Sequence, residues 1–527
     1  MEGRGSPRWT LVVAILGSSL AFLDGSFVSV ALPVMQRELG ISGGASQWVV
    51  EAYMLFLASL VLVGGALGDR LGRRRVFEAG AVLFALASLG CAAAPGALVL
   101  VAARAVQGVG AAMLVPGSLA LISAAYPDDA ARGAAIGTWS ALGGVVGAAA
   151  PVVGGWVVAH ASWRWLFAVN APIAAAIVVL TRVHVAETRD DEAAGRVDVA
   201  GALLATLGLG LVVVALVEGQ GAAGMSAWVW ALLALGVAVL GAFVAVEARA
   251  SAPMVPLGLF RLRTFTGANV LTFLVYGALG ASFFFLPFDL IQLQGYSPAA
   301  AGAALLPFII LVSAMSRWAG ALAARTGERL PLIVGPAVST VSFVLLAMPG
   351  AGGSYWTTFF PGIVAGGLGM GFTVAPVTSA AMGSVERRHA GIASGINNAV
   401  ARAAGLLAIA ALGVLLSARF DAVLDARLAP LHLPDTIASE VAAARTRLAD
   451  AKPPEDAAPA VRAAIGAAFA DAYVAGFRAM MLACAGLTAL GSLSAALLIE
   501  RKRRGDAADA SAGAARGHGV GSGKHAT

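Results

Sequence analysis

This chain of 527 residues is built from a succession of apolar runs, each about as long as a bilayer's hydrocarbon is thick, recurring from one end to the other. A helix needs roughly 20 such residues to cross about 30 Å of hydrocarbon. Fourteen runs are readable: 9–31, 46–67, 76–95, 98–124, 134–158, 164–183, 198–217, 227–247, 266–289, 300–322, 330–349, 355–381, 391–417 and 473–499. They must be helices, because lipid offers backbone groups no partner and the runs lack the alternation of a barrel strand. Only 12% of the residues are charged, about half the roughly 25% usual in a soluble domain. An ordinary soluble enzyme is excluded, and the expected fold is an all-α polytopic membrane protein.

An even number of spans puts both termini on one side. Most of the 35 lysines and arginines gather there, including Arg70, Arg73, Arg74, Arg75, Arg261, Arg263, Arg387, Arg388 and the run Arg501, Lys502, Arg503, Arg504. The short opposite loops hold Arg37 and Arg164. The positive-inside bias therefore predicts cytoplasmic termini. The formal net charge of +6 belongs to this topology and not to a nucleic-acid surface. Arg4 and Arg8 precede a first run too long for a signal-peptide core and without a cleavage pattern after it, so that run reads as a retained span. Cys91 and Cys484 both lie in apolar runs and support neither a disulfide framework nor a thiolate metal site.

The chain repeats itself. After the second run it reads Gly65-Ala-Leu67-Gly-Asp69-Arg70-Leu-Gly72-Arg73-Arg74, and after the tenth Gly320-Ala-Leu322-Ala-Ala324-Arg325-Thr-Gly327-Glu328-Arg329. Both copies follow the second helix of a six-helix block, which is the mark of a duplicated secondary transporter. The expected division is 1–183 as the first half, 184–265 as two inserted helices with linkers, and 266–499 as the second half, with 500–527 a disordered cytoplasmic tail. Within the second half, 418–472 reads as a long outer loop. It carries two Ala-rich helical stretches, near 435–450 and 456–472, on either side of the breaker Lys452-Pro453-Pro454.

Ionisable groups inside the runs are the candidate functional residues, because each costs about 3 kcal/mol at mid-membrane. Asp24 lies inside the first run and should face a wet cavity or carry a proton, which makes it the leading proton or cation site. The competing reading pairs it with an arginine or uses it to cap a kink. Arg104 and Gln107 stand one turn apart on one face of the fourth run. Arg104 stays charged and so can only tune or release the proton of a neighbouring acid, or else form a structural ion pair. Glu51 is either a second titrating acid or a side chain snorkelling to the outer interface. Asp289 and Glu218 fall at run ends, where interfacial solvation accounts for them. In the fifth run Gly143, Gly144, Gly147, Gly154 and Gly155 surround Pro151, which suits close helix contact and a hinge between the halves. Asn397, Asn398 and Arg402 in the thirteenth run either line a cavity or bind helix to helix. Phe283, Phe284 and Phe285 with Tyr276 offer aromatic surface to a lipophilic substrate, yet three consecutive rings point around a helix, so at least one is expected to face lipid.

Other chemistries are missing. No phosphate-cradling Gly-Lys-Ser/Thr occurs, so the chain itself burns no ATP. The glycines Gly366, Gly367, Gly369 and Gly371 sit in an apolar run and not after a strand, which excludes a dinucleotide site. Neither histidine pairs at metal-ligand spacing nor paired catalytic carboxylates appear, and no cofactor is expected.

Several motifs, in order and on the right runs, resemble the major facilitator superfamily, specifically its fourteen-helix drug:proton antiporter branch. They are the loop Gly65 to Arg74; Leu23-Asp24-Gly-Ser-Phe-Val-Ser-Val-Ala31-Leu32-Pro33; Arg104-Ala-Val-Gln107-Gly108-Val-Gly110; Gly147-Ala-Ala-Ala150-Pro151-Val-Val-Gly154-Gly155; Trp163-Arg164-Trp165-Leu-Phe167-Ala-Val-Asn170-Ala-Pro172; and Gly391-Ile-Ala-Ser394-Gly395-Ile-Asn397-Asn398 with Arg402. The resemblance covers nearly the whole chain. It implies two six-helix halves plus two inserted helices, with protons and a small organic molecule as partners in a bacterial cytoplasmic membrane. It also implies a gate at Gly65, Asp69, Arg70, Gly72 and Arg73, where Asp69 holds the halves together on the cytoplasmic side, and a part for Arg104 in proton coupling. Gln107, Asn397, Asn398 and Arg402 are expected to line the substrate cavity. Two departures stand out: Ala150 replaces the glycine usual before Pro151, and Ala324 replaces Asp69 in the second copy, so any latch is asymmetric. The function implied is proton-driven export of lipophilic or cationic drug-like compounds. The alternatives are a dedicated exporter of one natural product, an importer, and a non-transporting sensor or scaffold.

Overall fold

A computed structural model of the protein describes residues 5–41, 43–189, 198–220, 225–250, 253–386 and 390–500. The expected disordered tail beyond Arg504, and Arg387 and Arg388, lie outside these residues. Every regular element among the described residues is helical. The helices are α1 Pro7–Leu39, α2 Gly43–Leu71, α3 Arg73–Ala93, α4 Ala97–Ala125, α5 Asp129–His160, α6 Arg164–Ala168, α7 Asn170–His184, α8 Val199–Glu218 and α9 Ala227–Glu247. They continue as α10 Arg263–Phe288, α11 Pro298–Ala304, α12 Leu306–Thr326, α13 Arg329–Leu346, α14 Tyr355–Thr358, α15 Phe360–Gly383, α16 Ala390–Leu428, α17 Asp435–Ala444 and α18 Pro459–Leu498. Among the described residues 13 helices are long and apolar enough to cross a membrane, each answering to one expected run. The remaining run, 134–158, lies within the 32-residue helix α5.

Local chemistry sets the helix starts and breaks. Asp128, Asp198, Ser226 and Ser297 cap α5, α8, α9 and α11 by accepting a backbone N–H of the first turn. Three expected spans are jointed. α6 gives way to α7 at Val169, α11 to α12 at Leu305, and α14 to α15 at Phe359, and in the last two a proline opens the second piece because it lacks the N–H that would continue the first.

The helices pack in two groups. α4 touches α1, α2 and α3; α5 lies on α1, and α7 on α3 and α1. In the second group α10 packs on α15, α16 and α18, α13 on α15 and α18, and α12 on α15. The groups meet where α2 lies on α16, α5 on α11 and α12, and α1 on α10, while α8 touches both α2 and α16. Ser6 N–H donates to the carbonyl of His184 at 2.9 Å, and Glu500 N–H to Thr264 Oγ1 at 3.3 Å. Leu62 of α2 packs with Phe265 and Ile396. Both ends of the described chain therefore lie at one end of the bundle, together with Gly72.

Within 418–472, expected as an outer loop with helical stretches near 435–450 and 456–472, helix occupies both stretches, and the spanning helices also run further than their apolar runs. α16 runs on to Leu428 and α18 begins at Pro459, so these helices are 39 and 40 residues long, roughly 60 Å at 1.5 Å per residue. Their extensions pair with each other: Phe420 stacks on Phe469 and Arg427 meets Asp471 at 2.9 Å. Alanine-rich sequence keeps helix propensity after hydropathy has fallen, which moves the helix ends well past the apolar edges. α17 and a short 3-10 segment, Arg445–Asp450, bring the chain back over the bundle end.

Arg164, read from sequence as a topology marker, donates Nη1 to the carbonyls of Ala92 and Ala94, both at 2.8 Å, and stacks on Trp163. It satisfies the last carbonyls of α3. Arg164→Met is expected to cost about 1.5–3 kcal/mol per lost charged hydrogen bond and to lower the thermal unfolding midpoint of the detergent-solubilised chain. An unchanged midpoint would show these bonds to be idle.

Candidate functional site

Asp24 and Arg104 come together at the junction of α1, α2, α3 and α4. Arg104 Nη1 donates to Asp24 Oδ2 and, at 2.6 Å, to Gln107 Oε1; its Nε donates to the carbonyl of Val49 at 2.7 Å. Gln107 Nε2 donates to Asp24 Oδ1 and to Ser88 Oγ, each at 2.8 Å. Asn170 of α7 reaches the same Ser88 oxygen at 3.3 Å. The guanidinium lies 4.3 Å from the centre of the Tyr53 ring, whose hydroxyl donates to the carbonyl of Ala21 at 3.3 Å. Asp24, Arg104, Gln107, Ser88 and Asn170 are all 0% exposed.

Asp24 therefore does not face a wet cavity in this conformation. The Arg104 charge and the Gln107 amide replace water around the carboxylate, which is how a charged pair is tolerated in a dry interior. Gln107, expected to line the substrate cavity, is instead fully committed to this network. Ser88, Asn170 and Tyr53 escaped the sequence reading. The available signal was polarity inside otherwise apolar runs, but a serine or tyrosine there is common and drew no notice.

The other candidates are placed as follows. Asp69 pairs with Arg73 one turn on, at 2.7 Å. Arg74 and Arg75 both lie within 4 Å of Glu187, and Arg73 N–H donates to the carbonyl of Thr188. These contacts tie the loop around Gly65, Arg70 and Gly72 to the segment following α7. Gly154 and Gly155 fit two different neighbours: a Cβ on Gly154 would meet Phe27 of α1, and one on Gly155 would meet the backbone of Pro298 and Ala299 in α11. α5 is continuous through Gly147 and Pro151, whose side-chain surroundings lie outside the described residues. Asn397 donates to Thr272 Oγ1 at 2.8 Å and to Asn269 Oδ1 at 3.2 Å, so it joins α16 to α10 and is not a cavity wall. Asn398 is exposed and bonds back to Ser394 of its own helix. Arg402 is half-buried with Nε unpartnered.

Two cavities accompany the network. One, small in this conformation, lies among α10, α12, α13 and α15 and is walled by Phe283, Phe308, Phe343 and Met370, with Ser282 and Ser339. The other, also small, sits beneath the 3-10 segment, bounded by Gln36, Gln47, Phe284, Phe285, Phe288 and Tyr473. Phe284 and Phe285 are buried, and the partly exposed Phe283 packs on Phe308 at 4.9 Å. At the bundle end opposite the termini, Gln292 donates to Gln36 at 3.3 Å, and Gln47 and Gln220 exchange amide bonds of 2.8 Å, which tie α1 to the segment after α10 and α2 to α8.

Comparison with known proteins completes the assignment. Residues 14–409 match the model of the Major Facilitator Superfamily. The chain is 35% identical over 440 residues to a multidrug resistance protein, Stp, of Mycobacterium tuberculosis, covering 82% of this chain and 80% of that one. It is 30% identical over 451 residues to the tetracenomycin C resistance and export protein of Streptomyces glaucescens, covering 84% and 81%. The fold matches the crystal structure of a bacterial homologue of the human lysosomal transporter Spinster, inward-facing and occupied, with a TM-score of 0.64 at 16% identity over 93% of this chain and 96% of the other. With its polar network set into a bundle of bilayer-length helices, the chain belongs to the Major Facilitator Superfamily and is a multi-pass membrane transporter.

Proposed function

We propose that this transporter is a proton-coupled exporter of lipophilic or cationic drug-like organic compounds, with cytoplasmic termini. It works by alternating access between 1–183 and 266–499, with the two helices of 184–265 set between them. The observation that carries the coupling is the Asp24–Arg104–Gln107 network. Arg104 cannot lose its charge, so a proton added to Asp24 dissolves the pair and leaves a buried guanidinium seeking another acceptor. That change of partner is a two-state element of the kind that biases a bundle between conformations. In the same cycle Asp69 exchanges Arg73 for a partner across the cytoplasmic face when that face closes.

One inward proton supplies about 2.3 kcal/mol per 100 mV and roughly 1.4 kcal/mol per unit of pH difference. The apolar cavity among α10, α12, α13 and α15, rimmed by serines, has the lining chemistry of a site for a lipophilic molecule. Both named relatives carry resistance in their names, and one carries export.

The test is uptake of the lipophilic cation ethidium into inverted membrane vesicles energised with an acid interior. Accumulation that collapses on adding a protonophore is expected; accumulation indifferent to the protonophore overturns the coupling. A dedicated exporter of one natural product is the second reading, favoured by the relative named for a single compound. A compound panel in which one aromatic natural product moves and ethidium does not would select it.

A further inference from the structure

We propose that Glu51 is a second proton-binding site, separate from Asp24, whose neutral form seals the outer part of the seam between α2, α8 and α16. The proposal rests on the alternating-access reading above but uses no residue of the Asp24 network.

Glu51 is 0% exposed, and both of its carboxylate oxygens are buried without a hydrogen-bond partner. The side chain does not reach the interface, so snorkelling is not what it does in this conformation. Its helical neighbours place the face it occupies. One turn outward, Gln47 exchanges two amide bonds of 2.8 Å with Gln220 at the end of α8, and Gln220 also reaches the carbonyl of Ala410 in α16 at 3.4 Å. Gly413 of α16 lies against both amides; a Cβ there would stand 2.7 Å from Gln47 Nε2. One turn inward, Leu55 packs with Val213 and Val217 of α8 and Leu406 and Ala410 of α16. Residues four apart share a helix face, so Glu51 lies between an amide clasp and an apolar plug. Val49 and Tyr53, two residues to either side, face Arg104 on the opposite side of α2.

Among the described residues no charge is positioned to hold a carboxylate there. On α4 and α1, Arg104 and Asp24 are spent on each other. Arg73, Arg74, Arg75 and Glu78 of α3 sit at the cytoplasmic end. On α8, Glu218 is exposed and acidic. Arg402 of α16 is one turn inward of Leu406, hence roughly 10 Å along the bundle from Glu51. In the 3-10 segment Arg445 is engaged by Asp421 and Asp425, and Arg447 is exposed above. An ionised, unpartnered carboxylate in so dry a seam is not tolerated, whereas the neutral acid is.

The seam joins the two halves, so it must part when the outer side opens. Water then reaches Glu51, and the proton returns to the side from which it came. Closure of the outer gate thus takes up one proton from outside and opening releases it to outside. Glu51 makes the gate sensitive to external pH without adding to the number of protons carried across. Acid outside favours the closed gate, and alkaline medium outside favours the open one.

The test uses the full chain in liposomes without substrate, with spin labels at Arg37→Cys and Ala418→Cys on the outer ends of α1 and α16. The expected result is a label distance that lengthens as external pH rises in the parent and in Glu51→Asp, and stays short at every pH in Glu51→Gln. Glu51→Leu, which fills the seam with an apolar group, should also stay short and melt no lower than the parent. In Glu51→Gln, any remaining substrate-driven proton movement keeps the parent's ratio of protons to substrate. A pH response that survives Glu51→Gln, or one removed by Asp24→Asn instead, overturns the proposal. So does a lowered proton ratio in Glu51→Gln, which would make Glu51 a carrier. Because the distances are read without transport, they score this site even if ethidium uptake proves indifferent to the protonophore.

Discussion

Arg104→Met is expected to lower the melting temperature of the transporter at neutral and alkaline pH but not in acid, Asp24→Asn to leave it folded but uncoupled, and the two substitutions together to restore the midpoint at every pH. The asymmetry follows from what each partner keeps. Without Arg104, the Asp24 carboxylate retains only the Gln107 amide, fully buried in α1, and it escapes the cost only by taking up a proton, so the loss grows with pH. Breaking a buried ion pair from one side costs about 3–5 kcal/mol, a large part of the roughly 5–15 kcal/mol that holds a typical protein folded. Without the Asp24 charge, Arg104 still donates to Val49 and Gln107 and still rests on Tyr53, so its losses are smaller. The doubly substituted chain buries no charge at this point and should melt within a few degrees of the parent, while carrying no proton. Arg104→Lys keeps the charge but lacks the fork that reaches three acceptors at once; it should fold and transport slowly. Thermal unfolding of the solubilised chain and protonophore-sensitive ethidium uptake read the two effects separately. Parent-like uptake by Asp24→Asn would remove this network from the coupling.

The two ends of the pair were legible in the sequence because charge inside an apolar run has a large and specific cost. What each charge does with that cost was not. The partner of Asp24 lies eighty residues away on another helix, and the choice between a wet cavity and an arginine is made only by how α1, α2 and α4 cross. Ser88 and Asn170 were invisible for the opposite reason: a small polar side chain can satisfy itself on its own helix, so its presence predicts no partner. Asn397 shows the same ambiguity resolved the other way, since its amide found α10 instead of a cavity. The clasp of Gln47 with Gln220 spans 173 residues and depends on where an inserted helix docks, which no local pattern encodes.

The fold was legible almost throughout, because membrane thickness sets span length and the lack of backbone partners in lipid sets helicity. The misplaced boundaries are at α16 and α18, where hydropathy and helix propensity part company. Residues such as Asp421, Asp425 and Asp471 end an apolar run but do not end a helix, and their ion pairs with Arg445 and Arg427 help to carry both helices beyond the apolar zone.

Gly154 and Gly155 were read together as one hinge, and their surroundings predict different failures. Gly154 fits against Phe27 of α1, within the same helix group, whereas Gly155 fits against the first residues of α11, in the other group. A Cβ on Gly155 would lie 2.9 Å from Ala299 Cα and 2.8 Å from the carbonyl carbon of Pro298. Those are backbone atoms of a helix start fixed by the Ser297 cap and by proline, so they cannot swing aside. Gly155→Val should therefore force α5 and α11 apart where the halves meet, leave each group intact, and favour the conformation with its outer side open. Transport is expected to fall at least tenfold, about 1.4 kcal/mol or more against the closed state, with little change in melting temperature and a lengthened label distance between Arg37→Cys and Ala418→Cys. Gly154→Val pushes into a neighbour of its own group and should lower the melting temperature, because close small-residue contact is what holds such helices together. If the two variants fail in the same way, α5 is a rigid post packed alike on both sides, and the boundary between α5 and α11 is not a moving one.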